Sequence, residues 1–311
     1  MNTVKSAHPV FRDIARTPSL SEQLLGALLR AIPIRHGKHR LIDRLDRYKR
    51  IGGTGWVSVP FGHGSVVVES GDLVGRHFML LRHFDPEVSD VLVAASRQDK
   101  PDTLWDIGAN QGTSCYQLVN RLPKLRVVAV EPQVELYELL SQNLNQIASD
   151  RFEAYNVGLG SEAQHLELYV PTDNRGAGSL CKEKNEPESN SETVSIVTPR
   201  MVLDQSSFGP PDLIKIDVEG YESVVITALA DHLRDWSTRV IVFEAHNDST
   251  PEFKSIIETL EGLDFELFRL TKSLYKTLLY PIGDRNHAAS DFVALSRSAQ
   301  RSKALEELIQ V

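Results

Sequence analysis

The sequence is short of several things. Cysteine occurs only twice in 311 residues, at Cys115 and Cys181, in dissimilar surroundings. A disulfide framework is therefore not expected, and a reducing, cytoplasmic compartment is. Positive charge is in deficit: 34 Lys and Arg against 42 Asp and Glu leave a formal charge of −8. That balance argues against broad binding to a nucleic-acid backbone. Long apolar runs are missing too. The most apolar early stretch, 24–34, is cut by Arg30 and Pro33, so no transmembrane segment is expected. The first thirty residues also lack the basic start, apolar run and small-residue cleavage site of a signal peptide. Apolar side chains in general are not lacking. They make up 41% of the chain against 24% charged, enough for a substantial core and against global disorder.

What is present changes character along the chain. Ser19-Leu20-Ser21-Glu22 fits a helix capping box, and Leu24, Leu25, Leu28, Leu29 and Ile32 follow at helical spacing. Residues 35–50, RHGKHRLIDRLDRYKR, concentrate positive charge. They read as a solvated helix face or as a peripheral contact with an anionic membrane or acidic glycan. Glycines at 52, 53, 55, 62 and 64 punctuate a small hairpin, and Asp85-Pro86 opens a further helix. From about residue 102, short buried-type strands alternate with helices, which implies a parallel sheet covered on both faces. Two departures are expected: a β-hairpin insertion near 160–200, and an antiparallel pair, Phe265–Leu270 with Phe292–Ser296, closing the sheet. The domain reading is an N-terminal helical and hairpin accessory segment, 1–100, and a catalytic domain, 101–311.

The chemistry starts at DIGANQG, 106–112. A dinucleotide turn needs G-x-G-x-x-G, whereas here Gly108 and Gly112 are separated by Ala109, Asn110 and Gln111. Asp106, directly before the turn, would repel a pyrophosphate. S-adenosylmethionine (SAM) suits the pattern better. Its ammonium can meet Asp106, directly or through water, its carboxylate can meet the N–H groups opening the next helix, and Gly108 and Gly112 admit a close backbone approach. Glu131, about twenty residues on, lies where a carboxylate reaches a ribose diol. Asn156 and Val157 fall where an adenine edge would lie.

A second cluster follows in LIKIDVEGYE and VIVFEAH. Asp217, Glu219, Glu244 and His246 sit at or just past the ends of two buried strands, so they should converge on the rim where open sheets bind ligands. Methyl transfer needs alignment of acceptor, methyl and sulfur, plus a base for an alcohol acceptor. Any of these four residues could serve. The same groups could hold a divalent cation; no metal ligand is assigned.

These motifs in this order resemble the FkbM family of SAM-dependent methyltransferases. The resemblance rests on DIGANQG, AVEP (129–132), Asn143, NVGLGS (156–161), NRGAGSL (174–180), IKIDVEGYE (214–222) and FEAH (243–246). It implies a class I, Rossmann-like fold with a mostly parallel seven-stranded sheet. It further implies O-methylation of a hydroxyl in a glycan, a glycolipid or a polyketide-type metabolite. By position it places Asp106, Gly108, Asn110 and Glu131 at SAM, and Asp217, Glu219 and His246 near the acceptor. Within NRGAGSL, Asn174 and Ser179 could touch ligand while the glycines hinge a lid, or the segment is a plain surface turn. Two other classes compete: an NAD(P)-dependent oxidoreductase, which gives no reason for Asp106, and a silent SAM-fold binding module, which gives none for the acidic rim. Nucleic-acid methylation is disfavoured by the charge and by the absence of an Asn/Asp-Pro-Pro-aromatic motif.

Overall fold

The computed structural model describes residues 10–49, 55–97, 99–171, 175–180, 189–245, 248–284 and 287–310. His246, Asn174 and Cys181 lie outside them, as do the side chains of 45–50 in the basic run. The N-terminal part contributes α1 (Phe11–Ile14), α2 (Leu20–Ala31) and α3 (Lys38–Lys49). The hairpin β1 (Trp56–Phe61) and β2 (Gly64–Glu69) follows, then α4 (Leu73–Leu81) and α5 (Pro86–Ala95). The alternating region runs β3 (Thr103–Ile107), α6 (Thr113–Arg121), β4 (Arg126–Val130), α7 (Val134–Ala148) and β5 (Phe152–Tyr155). An insertion of β6 (Gly158–Leu159), β7 (Gln164–Pro171) and β8 (Ser189–Val197) follows, and then α8 (Pro199–Gln205). The chain then forms β9 (Leu213–Ile216), α9 (Glu222–Leu233), β10 (Val240–Glu244) and α10 (Pro251–Gly262). It ends with β11 (Phe265–Lys272), β12 (Thr277–Pro281), β13 (Asp291–Ser296) and α11 (Lys303–Glu306).

The central sheet has the order β12-β11-β13-β10-β9-β3-β4-β5. The five strands from β10 to β5 are parallel, while β13 pairs antiparallel with both β10 and β11. The expected closing pair is therefore present. The sheet has eight strands rather than seven, because β12 adds to the edge as the hairpin partner of β11. The consecutive apolar residues of TLLYP carry no alternation that would mark an edge strand in the sequence.

Side-chain alternation sorts the sheet into two cores. Leu104, Val127, Ala129, Leu213, Val240, Val242, Val293 and Leu295 join one cluster with α5, α6 and α7. Trp105, Val128, Val130, Ile214, Ile216, Ile241, Phe243 and Phe292 join the other, with α8, α9 and α10. Phe243 and Phe292 are fully buried, and truncating either to alanine should cost about 3–5 kcal/mol. The first cluster also contains Val57, Val59, Val66, Val68 and Phe78, so the N-terminal segment and the sheet share one core. Asn143 fastens them. Its side chain donates to Val67 O at 2.7 Å and accepts from Val67 N at 2.7 Å, standing in for a neighbouring strand.

The capping box forms as expected, with Glu22 N on Ser19 Oγ and Ser19 N on Glu22 Oε2. A bidentate contact with Arg16 holds the Glu22 carboxyl down at about 2. Among the described residues no helix is long and apolar enough to cross a membrane.

Candidate active site

A cleft of about 270 Å³ opens at the carboxyl ends of β3, β4, β9 and β10, where an open parallel sheet leaves its last carbonyls and loop side chains exposed to a ligand. The turn after β3 forms one wall. Gly108 N and Ala109 N both donate to Val130 O, tying the turn to β4. Asn110 adopts a left-handed φ of 53°, and its N–H donates to Glu131 Oε2 at 2.7 Å. Glu131 Oε1 accepts from Gln133 N at 2.9 Å. Burial nonetheless pushes the Glu131 carboxyl up to about 7. Helix α6 begins at Gly112 with no side-chain cap. The first-turn N–H groups, those of the cleft-lining Thr113 and Ser114 among them, thus fall outside the intrahelical ladder and face no capping side chain.

The two glycines have a different cause from the one expected. A Cβ on Gly108, where φ is 78°, would stand 1.8 Å from Asp217 O, and one on Gly112 would meet Leu140 and Tyr116 below 3 Å. Protein crowding therefore demands glycine before any ligand does. Asp106 differs from expectation as well. It is fully buried and does not line the cleft. Its Oδ2 accepts from Cys115 Sγ at 3.1 Å, and its Oδ1 lies 3.5 Å from Lys215 Nζ, its cross-strand neighbour. A direct contact between Asp106 and a ligand ammonium is not available in this geometry. Asn156 also turns away from a ligand role, donating to Glu131 O at 3.0 Å and Pro132 O at 2.8 Å. Val157 packs into the second core, and Gly158 and Leu159 line the cleft instead.

The opposite wall is acidic. Asp217, Glu219 and Glu244 offer carboxylate oxygens within 4.8 Å of one another, a spacing that could hold a metal ion. Lys215 Nζ lies 3.0 Å from Asp217, and the charges of Asp217 and Asp106 hold it protonated despite burial. Burial, followed by the neighbouring Asp217 charge, raises Glu244 to about 10. Glu219 has a left-handed φ of 50°, strain typical of a functional turn. Glu222 closes that turn by accepting from Val218 N and Gly220 N, each at 3.1 Å.

Two lining carboxylates escaped the sequence reading. Asp291 opens β13 directly opposite Glu244, and burial followed by the Glu87 charge raises it to about 6. The antiparallel pairing was the signal that could have found it. Asp85 sits at the N-cap of α5, as expected, but its side chain caps nothing and its φ is 39°. It faces the cleft instead, together with Leu73, Val74 and Phe84, so the N-terminal segment builds part of the site. The described part of NRGAGSL, 175–180, lines the cleft through Gly176, Gly178 and Leu180. Asn110 Nδ2 donates to Gly176 O at 3.0 Å, and Ser179 Oγ donates to Glu219 O at 2.6 Å. Gln111 points away from the cleft and donates to Asp72, the N-cap of α4, at 2.7 Å.

The sequence pattern of the methyltransferase FkbM domain matches residues 106–267, more than half of the chain. A hexuronic acid methyltransferase, AglP, from Haloferax volcanii is 23% identical over 189 residues, covering 60% of this chain and 73% of its own. Among solved structures, a SAM-dependent O-methyltransferase from Thermotoga maritima is 13% identical, covers 83% of both chains and has a TM-score of 0.39. A precorrin-6y C5,15-methyltransferase from Geobacter metallireducens is 14% identical, with 68% of this chain and 87% of that one covered and a TM-score of 0.39.

Proposed function

The chain belongs to the FkbM methyltransferase family, a SAM-dependent methyltransferase of class I fold, and from that premise we propose that it methylates a sugar hydroxyl in a glycan or glycolipid. The observation that carries the reading is the pairing of two unlike walls across one cleft. One is a backbone-rich donor wall at 108–114 and Glu131, and the other is a carboxylate-rich wall at Asp217, Glu219, Glu244 and Asp291. A saccharide presents several adjacent hydroxyls, and carboxylates are the side chains that accept from such arrays. The name of the Haloferax relative, which acts on a hexuronic acid, supports the same substrate class.

SAM, when bound, supplies a methyl group on a sulfonium that departs as a neutral thioether. On the donor wall, Glu131 accepts from the ribose diol, and the N–H groups of Thr113 and Ser114 receive the aminoacyl carboxylate. Gly108, Asn110 and Gly112 shape that turn, Asp106 acts from beneath through Lys215, and Asn156 and Val157 brace the adenine edge. On the acceptor wall, Asp217 takes the hydroxyl proton as the oxygen–methyl bond forms. Burial and the neighbouring Asp217 charge favour the protonated form of Glu244, so it orients a sugar oxygen while Asp217 serves as the base. His246, two residues past β10, is the alternative base.

The test is transfer of labelled methyl from SAM to hexuronic-acid glycosides, other saccharides and polyketide alcohols, followed by mild alkali. A methyl ether survives alkali and a methyl ester does not. Alkali-stable label on a saccharide is expected. Label on polyketide alcohols alone would move the acceptor to secondary metabolites, and alkali-labile label would sink the O-ether assignment. Tight NAD binding without SAM binding would return the chain to the oxidoreductases.

A further inference from the structure

Beside the cleft lie two further cavities, each sharing lining residues with the one before it. A chamber lined by His36, His39, His77 and His83 shares Leu73, Phe84, Asp85 and Lys272 with the cleft. A wider groove of about 560 Å³ then shares Arg35, Lys38, His83 and Pro86 with the chamber. The groove is lined by Arg30, Arg35, Lys38, Arg82 and Arg121, and none of the described residues lining it is acidic. On a chain of formal charge −8, that concentration of cations demands an explanation.

Their partners supply it. Arg35 and Arg121 share the single carboxylate of Asp90. Among the described residues the other three meet only backbone carbonyls: Arg30 donates to Leu80 O, Arg82 to Met79 O, and Lys38 to Arg30 O at 3.5 Å. Lys38 is only 7% exposed as a residue, and among the described residues its ammonium makes this one long contact. His83 Nδ1 is buried without any partner. The groups feel one another. Burial and the Arg30 charge lower both Lys38 and Arg82, the latter to about 10, and burial with Lys38 and Arg35 drives His83 down to about 4. Cations gathered in one groove without a carboxylate among the described residues lining it attract an anion.

We propose that the groove formed by Arg30, Lys38 and Arg82 binds a phosphate or diphosphate carried by the acceptor, while its sugar reaches through the histidine-lined chamber to the cleft. Three cations without a carboxylate match the charge of a diphosphate better than the single charge of a uronate carboxylate. Guanidinium forks suit phosphate oxygens in particular. The inference rests on the saccharide reading above for what the phosphate is attached to. The anion site itself stands without it.

The experiment is calorimetric titration of the full chain with inorganic pyrophosphate, inorganic phosphate and, separately, SAM. Pyrophosphate should bind at least tenfold more tightly than phosphate. Arg30→Gln and Lys38→Gln should each weaken it at least tenfold, leaving SAM affinity and melting temperature within error. Arg30 is exposed, so its variant keeps the test alive should Lys38→Gln fail to fold. Arg40→Gln, on the exposed side of α3, should change nothing. Uridine diphosphate and farnesyl diphosphate then separate a nucleotide-linked from a lipid-linked acceptor by whichever binds more tightly than pyrophosphate. No pyrophosphate binding, equal binding in both groove variants, or an equal loss in Arg40→Gln would overturn the proposal. SAM binding without pyrophosphate binding leaves the methyltransferase reading intact, whereas the reverse removes that reading and keeps the anion site.

Discussion

On the donor wall of the cleft, the strand-end turn is tied down by backbone: Glu131 accepts from Asn110 N and Gln133 N, and Gly108 N and Ala109 N donate to Val130 O. On the acceptor wall, Asp217, Glu219 and Glu244 crowd together, Asp291 stands opposite Glu244 across the strand pair, and Lys215 lies 3.0 Å from Asp217. The donor wall is finished before a ligand arrives and owes its precision to strand register. The acceptor wall stores like-charge repulsion, which a hydroxyl-rich substrate, a proton or a cation can relieve. Shape is preorganised on one side and reactivity on the other.

The walls touch at Gly108, and the largest expected effect is there. Gly108→Ala places a Cβ 1.8 Å from Asp217 O at a φ of 78°, so chemical denaturation should show a loss of about 3 kcal/mol. Retained stability would mean that the two walls can separate freely. Asp217→Asn should next lower kcat by about 10²-fold or more while the SAM dissociation constant moves less than about threefold. An equal loss in SAM affinity would erase the division into two walls.

A pH effect of intermediate size distinguishes the walls by titration. Glu131 titrates near 4.5 when unfolded and near 7 when folded, so its stabilising protonated form is fully present below about 4.5 and lost as pH rises through 7. The melting temperature of the ligand-free protein should therefore fall between those values, by on the order of 3 kcal/mol of stability. Glu131→Gln should reduce that fall by its own share and leave the part that Glu244 and Asp291 contribute. Glu244, raised from 4.5 to about 10, loses its share over the wider window from about 4.5 to 10, so a decline that continues above pH 7 belongs to it. The smallest effect concerns the segment at 175–180. Asn110→Ala loses both the Gly176 contact and the left-handed preference and should weaken SAM several-fold, about 1 kcal/mol. Asn110→Gly keeps the backbone and should lose less. Equal losses would show that the side-chain bond alone matters.

Much of the donor wall was legible because it is local. A strand, a left-handed turn and a helix start occupy ten consecutive residues, and Glu131 follows at a spacing set by one helix and one strand. The acceptor wall was legible only where residues stand at parallel strand ends, as Asp217 and Glu244 do. Asp291 escaped because its place depends on antiparallel register across β10 and β13. Asp85 escaped because its position announced a helix cap. Asn143 was visible as a motif residue, yet its pairing with Val67 is 76 residues away in sequence.

By itself, then, the sequence determined the alternation of strands and helices, the glycine turn and the carboxylates that end the parallel strands, since periodicity and turn chemistry are written within a few residues. Tertiary structure alone decided that Asp106 is a buried partner of Lys215, that the N-terminal segment walls the cleft, and that Arg30, Lys38 and Arg82 share one groove. Those outcomes depend on which distant surfaces exclude water together, and no local pattern records that.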